Sequence, residues 1–207
     1  MYTPKHFKNK NRAELIEFMR EFNFAAIINK TKNKYWATHI PFLVDEMDGE
    51  IVLRAHMAKA NPQWVNFNND EQVLVIFSQP HAYISPGLYE TTESVPTWNY
   101  IAIHAYGIPE ILPDTVEKIR ILEDSFIEFE PNYKKQWDEL SDDYKNELLK
   151  GITAFKIKVT DIEGKYKLSQ NRSEKERINI IDHLKGSKNK SVSDISLYME
   201  KTKLPYK

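Results

Sequence analysis

The pattern of apolar and polar residues predicts a chain built mainly from short strands. Leu53, Ala55 and Met57 alternate with Arg54 and His56, which is the period of two that a half-buried strand shows. The apolar run VLVIF predicts a buried strand, and WNYIAIHAYGI predicts a long one with a row of aromatic side chains. The predicted strands cover residues 24–29, 35–44, 51–57, 72–77, 98–108, 152–159 and 164–168.

Helices are predicted where a capping residue precedes apolar positions at helical spacing. Ser173 and Glu176 form a capping box of the S-x-x-E type, and Asp114 caps the positions that follow it. Gly151 ends the helix that begins at Ser141, since glycine is common just after helix ends. The predicted helices cover residues 11–21, 114–129, 141–150 and 173–184, with a weakly amphipathic helix at 193–201.

The order of these elements favours an antiparallel sheet. A turn at residues 45–49 joins the strands on either side of it into a hairpin. Connections in the first half of the chain are too short for parallel βαβ units. We therefore expect a mainly β fold with peripheral α-helices (α+β), an antiparallel barrel formed by residues 1–185 with a helical insertion at about 114–150. The polar, lysine-rich residues 186–207 form a predicted C-terminal appendage.

Composition narrows the class of protein. The chain has 207 residues, 41% hydrophobic and 29% charged, as in a globular protein with one main domain. It has no cysteine, which excludes disulfides and cysteine-bound metal centres and suits a reducing compartment. No signal peptide and no run of about 18 apolar residues is evident, so we expect a cytoplasmic protein without a membrane span.

The charge of the chain restricts its contact with nucleic acid. The net charge is −1, so any DNA contact needs a local basic patch. Residues 174–207 are the one basic region, with eight basic side chains against five acidic ones. Such a segment is more often a solvated chain end than a DNA-binding surface, and no helix-turn-helix is evident.

Motifs of the common phosphate-binding and hydrolytic sites do not occur. Neither G-x-G-x-x-G nor G-x-x-x-x-G-K-[ST] is present, and neither are H-E-x-x-H and G-x-S-x-G. His39, His56, His81 and His104 lie at no spacing typical of metal ligands, so we expect no metal site. A phosphate-bearing ligand would therefore have to be held by side chains.

Two polar clusters could hold such a phosphate. Thr38 offers a hydroxyl and His39 an imidazole N–H on one strand, although both could simply lie at a wet strand edge. The second cluster lies where another strand ends, and consists of Arg54, His56 and Lys59, with Asn61 after them. Arginine binds phosphate bidentately and lysine as a point charge, which indicates an anion site. The alternative is a charged edge strand followed by the start of a helix.

Two further clusters contain aromatic or amide side chains. Trp98, Tyr100, His104 and Tyr106 alternate onto one strand face. Such an aromatic wall could hold a flat cofactor, but it belongs more often to a core or a dimer interface. The stretch KLSQNRS places polar donors between a strand and a capped helix, and its alternative interpretation is an ordinary connecting loop.

These clusters occur together in a known family. The segments ATHIPFLVD, RAHMAKANPQW, VLVIFSQPHAYISPGLY, VPTWNYIAIHAYG and EGKYKLSQNRS stand in this order. In them the chain resembles the PaiB-type FMN-binding negative transcriptional regulators, from its start to about residue 184. The resemblance implies an antiparallel split β-barrel like that of pyridoxamine-phosphate oxidase, built as a homodimer with FMN at the subunit interface. It also implies repression, in bacteria, of genes for sporulation and secreted degradative enzymes.

The resemblance also implies a set of cofactor-binding residues. The phosphate and ribityl side would be held by Thr38, His39, His56, Lys59 and Asn61. The flavin slot would be formed by Trp98, Asn99, Gln170 and Arg172. The second subunit of the homodimer is a candidate to supply these residues. Lys59 stands where arginine or lysine is expected, and a lysine keeps the charge but loses the bidentate geometry.

Two functions of different classes stay open at this stage. The first is a flavin-dependent or flavin-stabilised regulator that acts on promoter DNA directly or through a partner. The second is an FMN-dependent oxidoreductase of the same barrel class, in which the flavin carries the chemistry and the protein positions it. A third interpretation is a dimeric protein that stores or senses flavin and has neither regulatory nor oxidoreductase activity.

Overall fold

The computed structural model describes residues 1–31, 33–67 and 71–202, and in these ranges the chain forms strands and α-helices. The strands are β1 (Lys8–Asn9), β2 (Phe24–Thr31), β3 (Lys34–Pro41), β4 (Leu43–Met47), β5 (Glu50–Ala58), β6 (Val73–Ile84), β7 (Thr97–Leu112) and β8 (Ile152–Lys167). The α-helices are α1 (Arg12–Glu21), α2 (Thr115–Phe129), α3 (Tyr133–Glu139), α4 (Asp142–Lys150), α5 (Glu174–Lys185) and α6 (Lys190–Lys201).

The strands form one sheet in the order β3-β2-β6-β7-β8-β5-β4, and β1 pairs with β8 outside this path. The strand pairs with a defined register in the described chain are antiparallel. This confirms the predicted mainly β fold with peripheral helices. Among the residues described, no helix is both long and apolar enough to span a bilayer.

The described residues divide into two compact units. The first unit comprises Met1–Leu15, Ser78–His104 and Glu163–Lys207, and the second comprises Ile16–Phe77 and Ala105–Ile162. Helix α6, from the lysine-rich C-terminal segment, belongs to the first unit. The predicted division of the chain at residue 185 stays a prediction.

Aromatic rings form the centre of the second unit. Phe42 packs against Phe77 and Phe155, with ring centroids 6.0 and 6.4 Å apart, and Phe67 lies 4.9 Å from Phe155. Each of these four rings is at most 1% exposed. Aromatic burial on this scale stabilises a fold strongly because each ring removes a large apolar area from water.

Aliphatic side chains form the core of the first unit. Alternate positions of β7, such as Ile101 and Ile103, are completely buried, as the period of a strand requires. Ile180 of α5 and Ile195 of α6 are also completely buried. Helix α6 therefore contributes an apolar face to this core.

The structure corrects the predicted strand at residues 35–44. The chain forms two strands there, and the break falls at Phe42, whose amide bonds to the carbonyl of Asn23 over 2.9 Å. β3 pairs with β2, whereas β4 forms the hairpin with β5. Pro41 explains the break, because a proline has no amide proton and is tolerated mainly at strand ends.

Two other strand boundaries also differ from the prediction. β6 continues past Phe77 to Ile84, because buried and exposed positions alternate again after two exposed residues, with Ala82 and Ile84 buried. The predicted strands at 152–159 and 164–168 are one continuous strand, β8. Its first half pairs with β5 and Gly164 pairs with Asn9 of β1, so the polar residues between the halves do not end the strand.

The helix predictions from capping residues are confirmed. Asp114 accepts hydrogen bonds from the amides of Val116 and Glu117, and the Ser173–Glu176 capping box is complete. The predicted pair of helices between 114 and 150 is a set of three, because α3 lies between α2 and α4. The sequence gives α3 no clear start, and its N-cap Asn132 makes no side-chain capping hydrogen bond.

Candidate functional site

Thr38 and Asn61 meet in a buried polar network of the second unit. The Thr38 hydroxyl donates to Oε1 of Gln63 and accepts a 2.9 Å hydrogen bond from Nδ2 of Asn61. The Gln63 amide also donates to the carbonyl of Ile27 over 2.9 Å. Asn61 caps the 3₁₀ turn Pro62–Asn66, since its Oδ1 accepts from the amide of Gln63.

Gln63 is a residue that the sequence reasoning missed. It is 0% exposed and stands at the centre of the network, so it fixes both predicted ligand residues. A buried polar side chain must be hydrogen-bonded, which makes such a residue a rigid anchor. Within the polar run KANPQW no periodicity distinguishes it from its exposed neighbours.

Arg54 does not belong to the predicted anion site. Its guanidinium bonds to Asp45 at 2.5 Å and to Asp124 at 2.5 Å, so it joins β5 to β4 and to α2. A guanidinium held by two carboxylates has little charge left for a phosphate. The predicted convergence of three cationic or donor groups is thus reduced to His56 and Lys59.

His56 and Lys59 differ in what their side chains can offer. His56 is half-buried on β5, and this burial lowers the pKa of its imidazole, which favours the neutral ring. Lys59 is exposed, and its backbone is held by bonds to Gly151 and to the indole of Trp64. Its ammonium has no acidic partner among the described residues, which leaves it available for an anion.

His39 faces the opposite way from Thr38, as the strand period predicts. It is exposed, and its ring is stacked at 6.4 Å on the exposed ring of Phe24. Of the predicted phosphate and ribityl residues in the second unit, Thr38 and Asn61 are therefore in direct contact. His39 lies on the other strand face.

Trp98 and Asn99 lie on opposite faces of β7 in the first unit. Trp98 is 51% exposed, and its ring lies 5.8 Å from those of His81 and Tyr83. Asn99 is 0% exposed, and its amide donates to Oγ of Ser169. The ring of Trp98 can thus contact a ligand directly, whereas the buried side chain of Asn99 bonds only to other residues of the first unit among those described.

The predicted loop after β8 contains one free cationic side chain. Gln170 uses its side chain internally, accepting from the amide of Leu168 over 2.8 Å and donating to the carbonyl of Tyr166 over 2.5 Å. The guanidinium of Arg172 lies 3.7 Å above the ring of Tyr89 and makes no hydrogen bond within the described chain. Arg172 is therefore the loop residue whose donors are available.

The predicted site residues are divided between the two units. Thr38, His39, His56, Lys59 and Asn61 lie in the second unit, and Trp98, Asn99, Gln170 and Arg172 lie in the first. Arg177, also buried in the first unit, is a further residue that the sequence reasoning missed. An arginine in a predicted helix is normally exposed to solvent, so the sequence around Arg177 does not indicate that this residue is buried.

Sequence comparison shows the family. The family described as "Putative FMN-binding domain" matches residues 1–161 of the chain. A Bacillus subtilis relative, protease synthase and sporulation protein PAI 2, is 40% identical over 205 residues, or 97% of each chain. An uncharacterized protein of Emericella nidulans is 32% identical over 184 residues, covering 70% of this chain and 73% of its own. The chain therefore belongs to this FMN-binding family, and FMN is its cofactor.

Solved structures of flavin-binding proteins have the same fold. The flavocytochrome Anf3 of Azotobacter vinelandii matches with a TM-score of 0.62 at 10% identity, over 77% of this chain and 69% of that one. A FAD- and heme-binding protein of Mycobacterium smegmatis matches with a TM-score of 0.59 at 13% identity, over 78% and 73%. The predicted antiparallel split-barrel class is confirmed, and at these identities the likeness concerns the fold alone.

The residues present fit FMN. A phosphate dianion needs a cation that is not already neutralised, and Lys59 is one. Ribityl hydroxyls need acceptors, and Oδ1 of Asn29, a 6% exposed residue bonded to Gln63, has no partner among the described residues. The exposed ring of Trp98 offers a flat aromatic surface.

Proposed function

We propose that this chain is an FMN-binding negative regulator of transcription that acts on sporulation and on the production of degradative enzymes. The observation that carries the proposal is the 40% identity to PAI 2 over 97% of both chains. A match over nearly the full length of each protein favours a shared role more strongly than a shared domain does.

In this proposal FMN lies at the subunit interface of a homodimer and is held by two sets of side chains. Lys59 binds the phosphate, and His56, Thr38 and Asn61 line the phosphate and ribityl side. His39 lies on the face of β3 opposite Thr38. The flavin ring is held by Trp98 and Arg172, as direct contacts, while Asn99 bonds to the side chain of Ser169 and Gln170 bonds to the backbone of Leu168 and Tyr166. Bound FMN would supply a redox-active ring, and the chain's own residues orient it and set its access to water.

The proposed partners are a second copy of the chain, FMN, and promoter DNA reached directly or through a partner, in the cytoplasm. The charge distribution favours the indirect route. Arg177 is buried, and three of the basic side chains after residue 173 have acidic partners, which lowers the positive charge available to DNA. These ion pairs are Lys175–Glu90, Lys185–Glu200 and Lys190–Asp194.

The proposal is tested by deleting the gene in its host and restoring it on a plasmid. We expect deletion to raise transcripts for sporulation and secreted proteases at least about two-fold, and wild-type restoration to lower them again. Where repression requires bound FMN, a plasmid that carries Lys59→Ala should not lower these transcripts. Transcripts that do not change on deletion would overturn the regulatory role. Turnover of NAD(P)H by the FMN-loaded chain, without any transcript change, would instead support an oxidoreductase.

Direct DNA contact is a separate arm of this experiment. Purified chain, with and without FMN, is mixed with the responsive promoter fragments at low salt and examined by gel shift. A sequence-specific shift that weakens with added salt supports direct binding. Transcript changes without any shift support action through a partner.

A further inference from the structure

Arg177 on α5 is a buried cation that has no acidic partner in the described chain. It is 5% exposed, and its guanidinium donates to the carbonyls of Leu168 at 2.6 Å, Met199 at 2.8 Å and Thr202 at 3.1 Å. This burial lowers the pKa of the guanidinium. Removing a charge from water is unfavourable unless hydrogen bonds compensate it, so these three carbonyls are the compensation.

The three carbonyls belong to two separate segments. Leu168 precedes the loop Ser169–Arg172, which we call the SQNR loop, whereas Met199 and Thr202 lie at the C-terminal end of α6. Arg177 therefore fastens the start of the SQNR loop to the end of α6. The loop itself begins with Ser169 at φ 58°, a left-handed conformation that a non-glycine residue adopts only when its surroundings hold it there.

Asn99 forms a second connection between the same two segments. Its Nδ2 donates to Oγ of Ser169 at 3.0 Å and lies 3.5 Å from Sδ of Met199. The N-terminal end of α6 is also fixed, because Oγ of Ser191 accepts from the amide of His81 at 2.9 Å. Helix α6 is thus bonded at both ends within the first unit.

We propose that Arg177 is a positioning residue of the FMN site, which holds the SQNR loop against α6 so that Arg172 can contact the flavin. The inference rests on the proposed function, because it takes Arg172 as a flavin contact. It follows that the C-terminal helix sets the affinity for FMN, although α6 contributes no predicted contact. By linkage, FMN must in turn stabilise the attachment of α6.

The first experiment compares two variants of the full chain. Arg177→Lys keeps the charge but cannot reach three carbonyls with one ammonium, so it should weaken FMN binding about ten-fold or more. Glu200→Gln is the matched control, because it breaks the surface pair Lys185–Glu200 between the same two helices. It should leave FMN binding within about two-fold. Flavin fluorescence measures binding, and circular dichroism shows that each variant is folded.

A double-mutant cycle separates positioning from general destabilisation. Arg172→Ala should itself weaken FMN binding, and Arg177→Lys should then have little further effect, because it acts through Arg172. Additive losses in the double variant would overturn the proposal.

Hydrogen exchange of the wild-type chain keeps the proposal testable if Arg177→Lys does not fold. FMN should slow exchange of the amides at residues 199–202, and unchanged exchange there would overturn the inference.

The outcomes also separate this inference from the proposed function. A wild-type chain that does not bind FMN overturns both. A wild-type chain that binds FMN, together with Arg177→Lys that binds it equally well, overturns the positioning role alone.

Discussion

Arg54 and Lys59 show how the surroundings of one side chain decide what its charge can do. Both are cationic, but Arg54 lies in the middle of β5, whereas Lys59 directly follows the last residue of that strand. Arg54 is neutralised by Asp45 and Asp124, whereas Lys59 is exposed and has no acidic partner in the described ranges. A charge-assisted hydrogen bond to phosphate needs a cation that is not already paired. Of the two, only Lys59 is a candidate phosphate ligand.

At this scale we predict that Lys59→Ala weakens FMN binding but not riboflavin binding, because riboflavin lacks the phosphate. The loss of one charged hydrogen bond, about 1.5–3 kcal/mol, should raise the Kd for FMN roughly ten- to a hundred-fold. Fluorescence titration with both ligands measures it. Lys158→Ala is the control, since Glu50 already pairs with that lysine at 2.6 Å. Equal losses for the two ligands would contradict the assignment.

At the scale of elements, short capping motifs proved more informative than strand patterns. Asp114 and Ser173 each accept backbone hydrogen bonds at the start of their helices, as their sequence contexts predict. The strand ends were harder to predict. Pro41 separates β3, which pairs with β2, from β4, which pairs with β5. β8 continues through polar residues because its first half pairs with β5 and its second half pairs with β1.

The caps allow a matched stability prediction. Asp114→Ala removes an acceptor for the amides of Val116 at 2.8 Å and Glu117 at 3.2 Å, and should lower the free energy of unfolding by about 1 kcal/mol. Asn132→Ala is the control, because Asn132 makes no side-chain capping bond and should change the free energy by less than about 0.5 kcal/mol. Urea unfolding followed by circular dichroism measures both. A similar loss in the two variants would show that the cap is not what stabilises α2.

At the scale of the whole molecule, the exposed aromatic side chains of the first unit favour the proposed homodimer. Trp98 and Tyr83 are each 51% exposed, and their rings are in edge contact at 5.8 Å. Aromatic residues are enriched in the buried centres of protein interfaces, where they exclude water. In the proposed homodimer, a second copy of the chain packs against Trp98 and Tyr83.

We expect light scattering to give a mass of about twice 24.4 kDa at about 10 µM chain, since dimer formation depends on concentration. Trp98→Glu should shift the mass toward that of one chain, because an unpaired carboxylate is unfavourable in an apolar interface. Tyr35→Glu, at a 72% exposed aromatic of the second unit, should leave it unchanged. A wild-type chain that elutes as a monomer contradicts the homodimer, and a dimeric Trp98→Glu variant places the interface elsewhere.

The sequence named candidate site residues, but it did not show which of their side chains bond inside the fold and which face solvent. The resemblance to the family marked Asn99 and Gln170 as candidates, and in the structure both are buried and bond within the first unit, Asn99 to the side chain of Ser169 and Gln170 to the amide of Leu168. Gln63 and Arg177 were not predicted, because a polar residue in a polar stretch gives no sign that it is buried.

The sequence by itself determined the mainly β architecture, the capped helices, the family and its FMN cofactor. Periodicity, capping residues and short motifs are local properties, because each is defined by residues that are close together in the sequence. Only the tertiary structure decided that Arg54 is neutralised by Asp45 and Asp124, and that Arg177 joins the SQNR loop to α6. These contacts connect residues far apart in the chain, and a charge is free or paired only once folding has chosen its neighbours.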